Sequence, residues 1–262
     1  MDCTKEAYKR SLAVIKNLAL NRGPSQTNIL KHPHNAACLL LGLLWCAKSF
    51  HGVLFLGPAL IIAATVYQIA IPLNCMNLLQ GSCAATATTH SQTPRVWTPV
   101  LIMCLVVFPL YLWVYDFAQT RGYVFFPTLF EERHRIVPAW HTGADIAEHG
   151  IWLSKITVLH MFGVALPEEY FYRGYLQPVL HARTSKQSVS VFGWDLSSGI
   201  VIATGYFALG HFIGEWDITR LLPFFPGLLF AYLRDKTHSL RAPIVFHGLC
   251  NIFSNVLGLF YV

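Results

Sequence analysis

The chain has 262 residues and is poor in charge: Asp, Glu, Lys and Arg make up 12 % of it, where a soluble domain carries about 25 %. Hydrophobic residues make up 54 %, and the mean hydropathy is +0.46. These values exclude an ordinary soluble protein. The formal charge is +6, but the basic residues lie in short clusters between apolar runs, as in positive-inside membrane proteins, so nucleic acid is not an expected partner.

The N-terminal half contains a basic segment followed by apolar runs of different lengths. Residues 1–35 are rich in Lys and Arg and are expected on the cytoplasmic side of a membrane. The run Ala36–Ala47 is short enough to be a half-span, whereas Gly52–Leu73 and Val96–Tyr115 reach the roughly 20 residues that cross a bilayer. A polar loop is predicted between those two spans, over Asn74–Arg95.

Two features outside these spans leave alternatives open. Cys75 and Cys83 share the polar loop and could form a disulfide in an oxidising compartment or remain free thiols. The segment Phe117–Gly150 mixes aromatic and charged residues, which is typical of chain that lies along lipid headgroups, and it could also form a lid over a site.

The second half repeats the alternation of apolar and basic stretches. Four apolar segments are predicted to be helices, and basic stretches separate some of them: Ile151–Leu180, Ser197–Phe212, Leu221–Leu233 and Ala242–Val262. The sequence therefore predicts an all-α, polytopic membrane helix bundle with six to seven transmembrane helices, eight at most. Its predicted divisions are the basic segment 1–35, the N-terminal helices and interfacial segment 36–150, and a C-terminal helical core 151–262.

A concentration of charge inside an apolar helix is the strongest local signal. Pro167 is followed by Glu168 and Glu169, and Arg173 comes one turn later. A charged residue at the centre of a membrane helix costs about 2.5 to 3.5 kcal/mol on insertion scales, so each is a functional hypothesis. Glu169 and Arg173 share a helix face at i and i+4 and are predicted to pair, which leaves Glu168 to turn into the bundle as a general base.

Two further polar pairs follow in apolar helices. Phe207 and His211 share one helix face, and His247 and Asn251 share another. A buried Glu and a His can together polarise a water molecule, and a second His with an Asn can donate hydrogen bonds to the oxyanion that forms when water attacks a carbonyl. This combination is typical of hydrolysis without a nucleophilic Ser or Cys.

These motifs resemble the CPBP family of glutamic intramembrane proteases, which includes the CAAX prenyl endopeptidases. The resemblance rests on Glu168-Glu169-x-x-x-Arg173, Phe207-x-x-x-His211 and His247-x-x-x-Asn251, in this order, and extends over about 151–260. It implies a membrane bundle with a polar intramembrane cavity.

The resemblance also implies a role for each of six catalytic candidates. Glu168 and His211 would activate water, and His247 and Asn251 would stabilise the oxyanion. Glu169 and Arg173 would hold the site together. Phe207 is expected to pack rather than react, and no cofactor and no metal are expected.

The implied activity is that of an intramembrane endopeptidase, a hydrolase whose substrate is held in the lipid bilayer. Candidate substrates are a prenylated CAAX-type tail, a C-terminal sorting signal or a bacteriocin-type peptide. The expected localisation is a multi-pass position in a bacterial plasma membrane or in the endoplasmic reticulum, with the former favoured.

Three alternatives stay open at this point. The chain could be a non-catalytic membrane scaffold or immunity-type binding protein, or a small-solute or proton pathway built on the same residues. A zinc site built from Glu168, His211 and His247 is a third, although the usual HExxH pattern is absent.

Overall fold

A computed structural model describes residues 32–52, 56–83, 96–125, 133–136, 143–184, 188–191 and 193–261. These residues form the helices α1 (Pro33–Ser49), α2 (Leu56–Cys83), α3 (Trp97–Phe125), α4 (Gly143–Val158), α5 (Leu166–Glu169), α6 (Gln177–Thr184), α7 (Ser198–Phe212), α8 (Phe224–Thr237) and α9 (Arg241–Gly258). Two π-helical segments, π1 (Leu159–Ala165) and π2 (Tyr170–Leu176), precede and follow α5 along the chain. The remaining elements are a 3₁₀ turn, Ile218–Leu221, and the antiparallel strands β1 (Ser188–Val191) and β2 (Trp194–Ser197), in which Ser188 is opposite Ser197.

The mostly helical class predicted from the sequence is confirmed, but three local predictions are wrong. The polar loop does not begin at Asn74, because α2 continues to Cys83. The predicted interfacial segment Phe117–Gly150 has the wrong bounds, since its first residues belong to α3, which extends to Phe125, and its last residues belong to α4, which begins at Gly143. The all-α prediction did not include the hairpin β1–β2. The loop predictions failed because polar side chains at the end of a membrane helix mark the bilayer edge, while the backbone can continue as helix into water.

Three helical stretches in the described part of the chain are long and apolar enough to cross a membrane: Leu56–Leu73, Trp97–Gly122 and Ile146–Thr184. The helix α7 is also apolar but has only 15 residues. The predicted count of six to seven spans is therefore not confirmed.

The helix α3 presents its apolar side chains outward. Leu105 is 75 % exposed and Trp113 is 68 % exposed. A continuous apolar surface of this kind is unfavourable in water and is the normal outer surface of a helix in lipid. The internal prolines of α2 and α3, Pro72 and Pro109, fit this environment because transmembrane helices tolerate proline.

The chain falls into two compact units. The first unit comprises Met1–Arg95 and Pro167–Pro243, and the second comprises Val96–Leu166 and Ile244–Val262. The division at residues 35 and 150 that was predicted from the sequence stays a prediction. The predictions for the basic N-terminal segment and for a Cys75–Cys83 disulfide concern residues or side chains outside the described part.

In the first unit, the N-terminal helices pack on the helices that carry the charged motif. Proline at the first helical position starts α1, and Tyr67 Oη of α2 donates to Ala36 O of α1 over 3.2 Å. The Tyr67 ring also lies 6.1 Å from the ring of Phe171 in π2. The core of this unit contains large side chains that are almost fully buried: Phe171, Tyr175, Leu176, Ile200, Phe207, Phe230 and Leu233.

The hairpin is tied to this core and sets the start of α7. Trp194 Nε1 donates to Asp235 Oδ2 of α8 over 3.0 Å. Ser197, the last residue of β2, caps α7, because its Oγ accepts from Ile200 N at 3.4 Å. The same Oγ lies 2.7 Å from His181 Nδ1. The short strands therefore fix the position at which α7 begins.

In the second unit, aromatic stacking joins α3 to α9. The Phe108 ring stacks on Phe253 at a centroid distance of 4.5 Å, and Tyr111 Oη lies 3.0 Å from Ser254 Oγ. Such contacts supply the van der Waals packing that holds membrane helices together, since lipid provides no hydrophobic driving force between them.

A polar cluster in the same unit is centred on Asp116 of α3. Asp116 accepts hydrogen bonds from the guanidinium of Arg135 and, over 2.7 Å, from Tyr261 Oη. The hydrogen bond to Asp116 raises the pKa of Arg135. Burial, followed by the hydrogen bond to Asp116, raises the pKa of Tyr261 to about 12. Tyr261 is therefore a donor throughout the physiological pH range.

Candidate active site

The paired glutamates lie at a point where the helical geometry changes twice. Glu168 and Glu169 belong to the four-residue helix α5, between π1 and π2 along the chain. π-Helical turns are rare and frequently mark functional sites. Glu169 is fully buried, and Glu168 is partly buried. The Glu169 carboxylate is therefore fully excluded from solvent, whereas the Glu168 side chain remains partly accessible.

Arg173 pairs with the buried carboxylate, as predicted. Its Nη1 donates to Glu169 Oε1 over 3.0 Å, and its Nη2 donates to Gly227 O over 2.9 Å. The guanidinium carbon lies 4.4 Å from the centre of the Phe207 ring and 5.3 Å from that of Phe230. Arginine at 1 % exposure is stable only with such partners. This arrangement fits a residue that holds the site together.

Gly227 allows the helices that surround Arg173 to come close. A Cβ atom built at this position would lie 2.9 Å from Thr204 Cγ2, 3.1 Å from Phe207 Cδ1 and 3.2 Å from Arg173 Nη2. A larger residue would therefore displace α7 or the guanidinium. This contact was not predictable from the sequence, because one glycine in an apolar helix carries no signal that distinguishes close packing from chance.

The hydrogen bond of His211 defines which ring nitrogen is available for chemistry. Its Nδ1 lies 3.0 Å from Phe207 O. A backbone carbonyl only accepts hydrogen bonds, so Nδ1 must carry the proton. In the neutral imidazole the other nitrogen, Nε2, then keeps its lone pair and can accept a proton.

Phe207 connects His211 to the buried ion pair. Its ring packs against the His211 ring at a centroid distance of 4.7 Å and also contacts the Arg173 guanidinium. The expectation that Phe207 packs is confirmed, since it is 2 % exposed. Its carbonyl has a second role, orienting His211. That role follows from the i, i+4 spacing alone and does not depend on the aromatic side chain.

Four of the six predicted site residues thus lie in the first unit. Glu168, Glu169 and Arg173 are in α5 and π2, His211 is in α7, and π2 packs against α7. The carboxylates of Glu168 and Glu169 both lie close enough to Arg173 for their charges to interact with it. No catalytic role follows from this proximity alone.

The other two predicted residues, His247 and Asn251, lie one turn apart on α9 in the second unit. His247 is 2 % exposed. Asn251 O accepts from Asn255 Nδ2 over 2.9 Å, and that amide nitrogen also lies 3.1 Å from His160 Nε2. In the sequence His160 stands alone in an apolar run, and no spacing rule connects it with Asn255, which lies 95 positions away.

The convergence of Glu168, His211, His247 and Asn251 on one point stays a prediction, as does the polar cavity. In the second unit, an open depression of about 520 Å³ is lined by Ala147, Glu148, Ile151, Trp152 and Lys155. It contains none of the predicted site residues. This depression is therefore not the predicted cavity.

Comparison with known proteins identifies the segment that carries the motifs. Residues 150–253 match the family model described as type II CAAX prenyl endopeptidase Rce1-like. No curated protein and no solved structure was found to match the chain.

The match and the apolar helices together define an integral membrane protein related to a family of proteases, which are hydrolases. Residues 150–253 are thus similar to the CAAX prenyl endopeptidase family, and the resemblance predicted from the three motifs is confirmed over that segment. The matched segment begins in the middle of α4 and ends within α9, so it contains all six predicted site residues.

Proposed function

We propose that the protein is a glutamic-type intramembrane endopeptidase that hydrolyses a peptide bond close to a lipid anchor or a membrane segment. The observation that carries the proposal is the hydrogen bond from His211 Nδ1 to Phe207 O, because it leaves Nε2 as a proton acceptor. This histidine lies in the same unit as the buried Glu169–Arg173 pair and the partly buried Glu168. A base and a carboxylate of this kind suit the activation of water.

In the proposed reaction, Glu168 and His211 take a proton from a water molecule as its oxygen attacks the scissile carbonyl carbon. The carbonyl oxygen becomes an oxyanion, which His247 and Asn251 stabilise by donating hydrogen bonds. The intermediate then collapses: the carbon–nitrogen bond breaks, and the proton passes to the departing amine. Glu169 and Arg173 take no proton in this scheme, and they hold α5 and π2 against α7 and α8.

The membrane helices favour a substrate that is itself held in lipid. The outer surface of α3 is apolar, and Ile146–Thr184, which contains Glu168, is long enough to cross the bilayer. A site on such a helix meets substrates that diffuse within the membrane. A prenylated CAAX-type tail is our first candidate, and a C-terminal sorting signal or other membrane-anchored peptide is the second.

The proposal is tested by peptide cleavage in liposomes. The panel contains a prenylated peptide, the same peptide without the lipid, and a single-span peptide, each with the wild type, Glu168→Gln and the wild type with a zinc chelator. We expect cleavage of a membrane-held peptide that Glu168→Gln abolishes and the chelator spares. Cleavage that the chelator abolishes would replace the glutamate mechanism with a metal mechanism. A Glu168→Gln variant with its cellular function intact, and no cleavage by the wild type, would favour a binding role.

A second pair of variants tests the proposed roles of Asn251 in stabilising the oxyanion and of His211 in accepting the proton. Asn251→Ala removes one oxyanion donor, and we expect the rate constant for cleavage to fall by about 10²–10³. His211→Asn removes the proton acceptor, and we expect a loss of about 10²–10⁴. Binding of the prenylated peptide should persist in both variants. Loss of binding without an effect on the rate constant would contradict these roles.

A further inference from the structure

The helix α1 lies outside the family-matched segment, yet it packs along α7, the helix that carries His211. Contacts occur near both ends of α1: His34 Nδ1 lies 3.0 Å from Tyr206 Oη, and Lys48 reaches the far end of α7. Residues 33–49 precede the matched residues 150–253 by about a hundred positions. The family match therefore does not account for this helix.

Lys48 binds the backbone of His211 directly. Its Nζ donates to His211 O over 3.0 Å and to Glu215 Oε1 over 3.3 Å. Glu215 Oε2 in turn pairs with Arg220 Nε at 2.5 Å. The lysine thus joins the end of α7 to the turn that follows it.

The backbone that follows α7 passes close to the side chain of Lys48. Gly214 has a φ of +92°, in the region that favours glycine. A Cβ atom at this position would lie 2.7 Å from both Cβ and Cδ of Lys48. The backbone therefore turns closely around the aliphatic part of the lysine, which is consistent with a specific contact.

The carbonyl that Lys48 binds is one that the helix itself leaves without a partner. The last four C=O groups of an α-helix lack an intrahelical N–H donor, and His211 is the penultimate residue of α7. A lysine at a helix C-terminus both satisfies such a carbonyl and interacts favourably with the helix dipole. A fixed carbonyl holds the last turn of α7, and hence the backbone from which the His211 ring extends.

We propose that Lys48 is a positioning residue for His211, acting through the His211 carbonyl oxygen. The inference rests on the proposed function for what His211 does in catalysis. The geometric part, that Lys48 holds the His211 ring in place, does not depend on that function. The N-terminal half of the chain would then contribute one residue to the working of the site, although the family match does not include it.

The test compares Lys48→Met, which keeps the aliphatic chain, with Lys48→Arg, which keeps the charge and donors. Displacement of a catalytic group by an ångström or less suffices for a loss of about tenfold, so we expect kcat for Lys48→Met to fall by about that factor with KM unchanged. Lys48→Arg should recover most of the loss. The control Lys236→Met removes an exposed lysine of the same unit and should leave kcat unchanged. A Lys48→Met enzyme with wild-type kcat would overturn the proposal.

A spectroscopic readout keeps the test independent of the enzymatic activity. In protein labelled with ¹⁵N-histidine, the resonance that disappears in His211→Asn identifies the His211 ring. We expect this resonance to shift or broaden in Lys48→Met and to return toward its wild-type position in Lys48→Arg. If no peptide is cleaved by the wild type but this shift occurs, the proposed function fails and the positioning role stands. An unchanged resonance would refute the positioning role.

A second variant separates the contact with the His211 carbonyl from the ion pair of Lys48 with Glu215. Glu215→Gln keeps the Lys48 bond to the His211 carbonyl and removes only the ionic partner. We expect kcat to change by less than about twofold, because exposed ion pairs contribute little. A loss in Glu215→Gln as large as tenfold would show that the lysine acts through the ion pair rather than through the carbonyl.

Discussion

Breaking the buried pair at its acid should destabilise the protein far more than breaking an exposed pair of the same chemistry. The change is Glu169→Gln. It preserves the size of the side chain but removes the salt bridge to Arg173, at side-chain exposures of 0 % for Glu169 and 2 % for Arg173, and leaves Glu168 as the nearby carboxylate. The matched control is Glu215→Gln, which breaks the exposed pairs of this 39 % exposed side chain with Arg220 and Lys48, whose side chains are 54 % and 30 % exposed.

The expected magnitudes follow from burial. Removing one partner of a buried ion pair costs about 3–5 kcal/mol, because the remaining charge stays desolvated. Arg173 keeps its bond to Gly227 O and its contacts with two aromatic rings, so we expect the lower end of that range, about 3 kcal/mol. For Glu215→Gln we expect less than about 1 kcal/mol, because the charges remain hydrated.

The free energy of unfolding is measured in detergent by denaturant titration, with circular dichroism following the loss of helix. A double variant, Glu169→Gln with Arg173→Met, should recover part of the loss because it also removes the buried cation that has lost its salt bridge. Equal destabilisation by Glu169→Gln and Glu215→Gln, or a double variant less stable than Glu169→Gln, would refute the reasoning.

Three further predictions concern packing, capping and titration. Gly227→Ala should lower the free energy of unfolding by about 1–3 kcal/mol, because its Cβ would lie 2.9 Å from Thr204 Cγ2. The same titration measures this loss, and wild-type stability would contradict the close packing of α7 and α8. Ser197→Ala should cost about 1 kcal/mol by removing the cap of α7, and an unchanged unfolding midpoint would contradict this. Tyr261 has its pKa raised from 10.0 to about 12 by burial and its bond to Asp116, so the stability from that bond is full below pH 10.0 and is lost as the pH rises through about 12. The ultraviolet titration of the wild type minus that of Tyr261→Phe should show this late phenol; a phenol that titrates at 10.0 would refute it.

The charged motif was predictable because its signal is local. Two carboxylates and an arginine in an apolar helix are costly unless they pair, and the i, i+4 spacing indicates which residues can do so. The pair Glu169–Arg173 therefore followed from the sequence, and so did the common helix faces of Phe207 with His211 and of His247 with Asn251. The helix α7 was located to within one residue of its start.

What the sequence could not provide are contacts between residues distant along the chain and the ends of helices. The bond from Lys48 to His211 O joins residues 163 positions apart, and no spacing rule connects them. The close approach at Gly227 depends on how α8 meets α7 in three dimensions. The ends of α2 and α3 were misjudged because hydropathy reports the edge of the bilayer, while backbone hydrogen bonding decides where a helix ends.

The most direct test of the account is the cleavage of a prenylated peptide in isotopically labelled water by the wild type, by Glu168→Gln and by the control Glu148→Gln. Glu148 is an exposed carboxylate outside the proposed machinery. We expect the wild type and Glu148→Gln to release a product whose new carboxylate contains one labelled oxygen, and the cleavage rate of Glu168→Gln to be lower by a factor of at least about 10². Cleavage by Glu168→Gln at the wild-type rate would contradict the central claim.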